Sequence, residues 1–270
     1  VKSVFVDSVA VIGSGGEANC HPRVRWAANG DQVRKSSGEL RRASPVIRLV
    51  LQVTALHSDF ASLDLSICRP VFTCSDGDMH VIDNICLALK TPGRPVSPTQ
   101  FHNVVHNAAA GHWSLGVKSV APSISISARY GSFAAGIMEA IGCLEEDGLP
   151  VLLVSYMHPG PPRLDKYRPR FRPFALSMLL QSERTPDTAF VLHTQLSGGE
   201  RDTPVGDPDL ERLRALNPAA KALPLLLAMA AGKETSIDLS LEYATLEVEI
   251  RQCLEPYARH GASIDAYAPA

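Results

Sequence analysis

Ser97-Pro98-Thr99-Gln100-Phe101-His102-Asn103-Val104-Val105-His106-Asn107-Ala108-Ala109-Ala110-Gly111-His112-Trp113, followed by Ala121-Pro122-Ser123-Ile124-Ser125-Ile126-Ser127-Ala128-Arg129-Tyr130, reads as a helix, a strand and the approach to a second helix. Ser97 stands where an N-cap belongs, and Pro98 has the fixed φ suited to the first helical position. The helix it opens is expected to run to about Trp113. Ser123 to Ala128 alternates Ile with Ser, as a strand with one buried face does. From Gly131 to Leu144, Phe133, Ala134, Ala135, Ile137, Met138, Ala140 and Ile141 leave almost no polar face, so that helix belongs in an interior.

Working outward, Lys2 to Ile12 is rich in Val and Phe and closes at Gly13-Ser14-Gly15-Gly16, a strand with a tight turn rather than a phosphate loop, since Ala18 replaces the third glycine of GxGxxG. His21 to Arg42 is polar and aperiodic and is read as a surface loop. Ser44-Pro45 begins a helix to about His57 on the spacing of Ile47, Val50 and Val53. A strand is expected over Ile67 to Cys74, a helix over Met79 to Leu89, and strands over Val151 to Tyr156, Phe174 to Leu180 and Ala189 to Leu196. Asp207 to Ala231 should be helical with breaks near Pro218 and Pro224, and two short strands should follow around Ile237 to Leu241 and Leu246 to Ile250. The tail beyond Pro256 reads as a surface extension.

Composition narrows the function classes. Lys and Arg number 26 against 28 Asp and Glu, a net charge of -2, so no global field draws nucleic acid or anionic membrane and a partner must be met by a local patch. The cysteines, at 20, 68, 74, 86, 143 and 253, form no CxxC pairs and point to a reducing compartment. Leu223 to Ala231 is the longest apolar run and falls short of the roughly 20 residues that span a bilayer. Asp7 interrupts the apolar N-terminus and no cleavage pattern follows, so a soluble cytoplasmic protein is expected.

The order and spacing of Ser97-Pro98, Asn107, Ala110-Gly111-His112 and Pro122-Ser123 resemble the N-terminal half of a β-ketoacyl synthase, in which a Pro-Ser strand leads to Ala-Cys. Tyr130 stands where that acyl-accepting cysteine belongs. The resemblance implies an α/β, thiolase-like fold, one half of the five-layered α-β-α-β-α ketosynthase sandwich, in a single domain over 1–270 best supported from 71 to 196. Ser75-Asp76-Gly77-Asp78 before a helix, and Val151-Leu152-Leu153-Val154-Ser155-Tyr156 with Pro159 after it, are similar to the ketosynthase N-terminal-like or chain-length-factor-like proteins that accompany a full ketosynthase in aryl polyene clusters.

Three departures shape the expected function. A ketosynthase needs a thiolate at a helix N-terminus, and a phenol with a pKa of about 10 is a poor substitute. The family's histidine motifs, of His-Gly-Thr and Asn-Ser-Phe-Gly type, do not occur. With only about one half present, either the C-terminal segment or another chain must cover the Gly131 to Leu144 helix.

Other readings of the same residues carry less. His102 and His106 share the i, i+4 spacing of a zinc site, yet His-Asn-Val-Val-His lacks the Glu of HExxH, and neither metal nor cofactor is implied. Gly111 to Gly116 has one residue too many for a nucleophile elbow. Cys143, inside its helix, reads as an inert buried thiol. Arg163, Lys166, Arg168, Arg170 and Arg172, interleaved with Tyr167 and Phe171, read first as a solvated loop and second as a docking patch for an acyl carrier protein.

The expected function is a non-catalytic, chain-length-factor-like partner of a ketosynthase in type II fatty acid or polyketide synthesis. By resemblance it pairs through Ile124 and Ile126 and presents Gln100 and Phe101 to the acyl tunnel, with Arg129 and Tyr130 at the vacant nucleophile site. The alternatives are a stand-alone acyltransferase or decarboxylase using Tyr130, Ser132 or His112, and a self-associating scaffold.

Overall fold

The computed structural model describes residues 1–14, 21–27, 43–59, 64–93, 96–167 and 170–253. Their nine strands form one sheet, and seven α-helices pack around it. The strands are β1 (Lys2–Ile12), β2 (Val24–Ala27), β3 (Arg69–Thr73), β4 (Ile124–Ile126), β5 (Val151–Met157), β6 (Phe174–Gln181), β7 (Phe190–Gly198), β8 (Thr235–Ser240) and β9 (Ala244–Gln252). Their order is β4-β3-β5-β6-β1-β7-β9-β8, with β2 beside β1.

β4, β3 and β5 are parallel, whereas β6 is antiparallel to both β5 and β1. The consecutive strands β6 and β7 are not neighbours, because β1 lies between them. One edge of β1 serves two partners. Lys2 to Val6 pair with β7 and Val9 to Ile12 pair with β2, so the predicted loop from His21 contains a short strand. Residues 28–42 of that loop lie outside the described residues.

The helices are α1 (Pro45–Ala55), α2 (Met79–Lys90), α3 (Pro98–Asn103), α4 (Ala108–Val117), α5 (Ser132–Asp147), α6 (Pro208–Leu216) and α7 (Leu223–Ala230). They cover both faces of the sheet. Ser177 of β6 pairs with Val154 of β5 and meets His57 in the turn after α1. Leu153, one residue earlier and therefore on the opposite face, meets Gly136 of α5. Trp113 of α4 is buried edge-on against Phe72 of β3, with ring centroids 6.1 Å apart.

Local signals set most helix ends. The Ser44 hydroxyl accepts from the Ile47 amide at 3.2 Å, the Asp207 carboxylate caps α6, and Asn217 caps the 3-10 turn Pro218–Ala222. Ser97 does not repeat this: its hydroxyl makes no capping bond. The single helix expected from Ser97 to Trp113 is two, broken at residues 104–107. At the break, β-branched Val104 and Val105 disfavour helix, and His106 leaves the helical path to donate to the Cys74 carbonyl at 2.9 Å. The i, i+4 relation of His102 and His106 therefore does not exist. Pro224, expected to break a helix, sits in the first turn of α7, where no backbone donor is needed.

α5 buries Phe133, Ile137, Ala140 and Leu144, and each large apolar side chain so buried contributes about 1.5–3 kcal/mol. Its cover comes from within the chain, since the 3-10 turn Pro218–Ala222 packs on it. On the sheet side, a Cβ at Gly136 would lie 2.3 Å from Thr73 Cγ2 and 3.0 Å from Leu153 Cδ1. Gly136→Ala is therefore expected to destabilise the protein by about 1–2 kcal/mol, because overpacking of about 1–3 kcal/mol outweighs a helix-propensity gain of under about 1 kcal/mol. Adding Thr73→Ser removes the opposing methyl and should restore part of the loss in urea unfolding.

Asp7, an interruption in the apolar N-terminus, lies where the β1–β6 register shifts. It is buried and accepts from Gln181 Nε2, Thr185 Oγ1 and Thr188 Oγ1 at 2.9–3.1 Å, which offsets its desolvation. Among the described residues, no helix is long and apolar enough to cross a membrane.

Candidate functional site

Because β1, β3, β4 and β5 point the same way, their carboxyl ends emerge along one edge of the sheet, where open α/β sheets place ligands. The segments that meet there are Gly13–Ser14, Cys74–Asp78, Ser127–Gly131, His158–Pro161 and the Arg170–Pro173 entry to β6. Arg129, Tyr130, Arg170 and Arg172, widely separated in sequence, thus lie on one edge.

The strand–helix turn from β4 to α5 forms an elbow. Arg129 has a left-handed φ of 47°, which costs a non-glycine residue about 1 kcal/mol. Ser132 holds the bend, donating to the Arg129 carbonyl at 2.7 Å and accepting from the Ala128 amide at 3.0 Å. Ser127 Oγ donates to the Ser75 carbonyl at 2.8 Å and ties the elbow to the end of β3. Tyr130, 43% exposed, follows in a 3-10 turn. The residue in the left-handed position is therefore Arg129, and Tyr130 is its successor.

The β8–β9 turn closes over this elbow. A Cβ on Gly131 would lie 3.2 Å from Leu241 Cα and 3.3 Å from the Ser240 carbonyl, so any side chain here would have to push the turn back by a few tenths of an ångström. Arg129 Nε lies 3.5 Å from Glu242 Oε1. No described thiol is at the elbow: Cys74 is buried at the end of β3 with its pKa pushed up to about 12 by desolvation, and burial also raises Cys143.

Beside the elbow, the Asp78 carboxylate caps α2 through the His80 and Val81 amides, both at 3.1 Å. Three histidines brace this end of the sheet by donating to carbonyls: His106 to Cys74 at 2.9 Å, His80 to Pro159 at 3.0 Å and His158 to Pro159 at 2.9 Å. Desolvation lowers the His158 pKa. His112 Nε2 is 3.1 Å from Asn103 Oδ1, a bond that spans the helix break. Ser75-Asp76-Gly77-Asp78 was legible as a turn before a helix; nothing in the spacing linked it to His158. Among the described residues no group of three or more His, Cys, Asp or Glu is placed to hold a metal ion.

The predicted pairing and tunnel residues lie at two places. β4 is shorter than expected, Ile124 to Ile126, and ends the sheet, with no described strand on its far side. Its two isoleucines pack on the core but stay partly exposed. α3 packs on α2 and leaves Gln100 half-buried and Phe101 67% exposed. Exposed apolar side chains recur from there to β4, at Val105, Leu115 and Val120.

The basic run is not one cluster. Arg163 pairs with Asp83 of α2 at 3.1 Å, Lys166 lies 4.6 Å from the Tyr167 ring centre, and Arg170 pairs with Asp165 at 3.5 Å. Arg172 donates to Ser14 Oγ at 3.2 Å, and Arg168 lies outside the described residues.

Comparison with known proteins agrees with this architecture. A search of curated proteins finds no match. Among solved structures, the complex of the ketosynthase ApeO with its chain length factor ApeC from Xenorhabdus doucetiae is similar at a TM-score of 0.68 and 18% identity, over 92% of this chain and 100% of the matched one. The AntDE:AntF complex, a type II polyketide acyl-carrier protein with its ketosynthase, is similar at 0.70 and 13% identity, over 94% and 100%. The ishigamide ketosynthase/chain length factor is similar at 0.63 and 12%, over 84% and 86%. At these identities the likeness establishes the fold, the thiolase-like α/β half of a ketosynthase. The family model for the β-ketoacyl synthase N-terminal domain matches residues 39–239, and the chain belongs to that family.

Proposed function

We propose that this chain is a non-catalytic, chain-length-factor-like subunit that pairs with a β-ketoacyl synthase in type II fatty acid or polyketide synthesis of the aryl polyene kind. The observation that carries the reading is the elbow. Arg129 and Tyr130 occupy the strand–helix turn without a thiol, and the β8–β9 turn packs on Gly131. A phenol ionises too little near neutrality to act as an acyl-accepting nucleophile.

Pairing is supported by the β4 edge, which no strand among the described residues covers, since such an edge flanked by exposed apolar side chains invites a partner strand. Gln100 and Phe101 would then face the partner's acyl tunnel from α3. Acyl carrier protein would meet the basic segment from Arg163 to Arg172, and the whole of 1–270 would act as one cytoplasmic domain without cofactor.

Co-expression with the cognate ketosynthase tests the reading. The two chains are expected to co-purify, Ile126→Asp is expected to separate them because a carboxylate at the paired edge is desolvated, and Gln100→Trp and Phe101→Ala should shift product length in opposite directions. The chain alone should gain no acyl mass from an acyl-thioester. A stoichiometric adduct lost on Tyr130→Phe, or failure to pair with the ketosynthase, would overturn the proposal.

A further inference from the structure

At the same edge of the sheet, the Arg170–Arg172 entry to β6 and helix α6 enclose a cleft of about 410 Å3, within the range of roughly 300–1,000 Å3 typical of small-ligand sites. Its two halves differ in chemistry. Phe171, Leu210 and Leu213 contribute apolar surface, while Arg170, Arg172 and Arg212 bring three guanidinium groups against one carboxylate, Asp209. Arg170 is shared with Asp165, and Arg172 uses one donor on Ser14. Arg212, from α6, is exposed and makes no ion pair among the described residues. Nothing in the elbow or the β4 edge uses this cleft.

We infer that the cleft binds a small amphipathic anion, an alkyl chain ending in a phosphate or a carboxylate. Guanidinium groups suit both head groups because their planar donors bind paired oxygens. The chain would leave water against Phe171 and the α6 leucines. A neutral alkyl compound would leave the arginines unanswered, and inorganic phosphate would leave the apolar surface wet. The inference does not rest on pairing with a ketosynthase, and its test uses the full chain alone.

Isothermal titration with decyl phosphate, decanoate, decyl maltoside and inorganic phosphate, all below micelle-forming concentrations, is the experiment. Saturable one-to-one binding is expected for at least one of the two alkyl anions, and their ratio of affinities assigns the head group. Inorganic phosphate and decyl maltoside should each bind at least about tenfold more weakly, and Arg212→Ala should weaken the anion by about tenfold. Arg212→Lys should recover part of the loss, and Leu210→Asp should weaken binding while the far-ultraviolet spectrum stays unchanged. Absence of saturation, equal binding of decyl maltoside, or unchanged affinity in Arg212→Ala would overturn the inference.

Discussion

Arg214→Ala is expected to lower the unfolding free energy by about 3–5 kcal/mol, the usual consequence of removing one partner from a buried ionic group. Arg214 is 6% exposed. Its Nε and Nη2 donate to the Glu211 carboxylate at 2.7 and 2.6 Å, and its Nη1 pairs with Asp202. Lys221 Nζ reaches the same Asp202 oxygen at 2.5 Å, and the Val205 amide donates to Glu211 at 2.9 Å. Truncation would therefore strip Glu211 of both guanidinium donors and leave Asp202, whose Oδ1 has no hydrogen-bond partner among the described residues, with Lys221 alone. Arg214→Lys should recover less than half of the loss, because a lysine keeps the charge but cannot supply the fork.

The same network has an acid signature. The hydrogen bond from Arg214 holds the Glu211 pKa down to about 2, from an ordinary 4.5. A carboxylate whose pKa is depressed by folding stabilises the fold above its unfolded value, and that contribution is lost as pH falls toward the folded one. Urea unfolding should thus show the penalty of Arg214→Ala shrinking between pH 5 and about pH 2. A loss under about 1 kcal/mol at pH 7 would mean the network is screened like an ordinary surface pair.

The second large effect is the neutral histidine under α1. His57 is fully buried in the 3-10 turn after α1, with Nδ1 2.9 Å from Ser8 Oγ of β1 and Nε2 2.8 Å from Ser177 Oγ of β6. Ser177 Oγ also lies 3.3 Å from the Val53 carbonyl of α1. Desolvation lowers the His57 pKa from 6.5 to about 4, with a hydrogen bond to Ser177 opposing the shift. Folding favours the neutral ring, so stability is complete above pH 6.5 and falls as pH drops through about 4, by about 3 kcal/mol in all. His57→Gln should flatten that slope. Burial lowers the pKa of His21 and His158 as well, so the variant should retain a shallower acid limb rather than none. An identical slope in wild type and variant would mean that His57 titrates as it does in the unfolded chain.

What the amino-acid order alone determined is what acts within a few residues. Ser44-Pro45 marked the start of α1, the Val- and Phe-rich run marked β1, the alternation of Ile237, Leu239, Leu246, Val248 and Ile250 marked β8 and β9, and the Ser-Pro to Pro-Ser spacing marked the ketosynthase half. Caps, side-chain period and proline's missing donor are local, so they survive in a one-dimensional reading.

Only the tertiary structure decided which strands meet. β1 entered between β6 and β7, Val24 to Ala27 became a strand because the upper part of the β1 edge was open, and the Ser97 helix broke so that His106 could reach Cys74. The candidate site divided in the same way. The sequence pointed to Tyr130 as a candidate by resemblance, whereas the left-handed Arg129, the β8–β9 turn over Gly131 and the place of Arg172 and Arg212 in one cleft were not legible. The reason is physical: a strand edge or a buried carbonyl accepts any partner of the right shape and donor pattern, and which segment arrives is settled by packing the whole chain around one core.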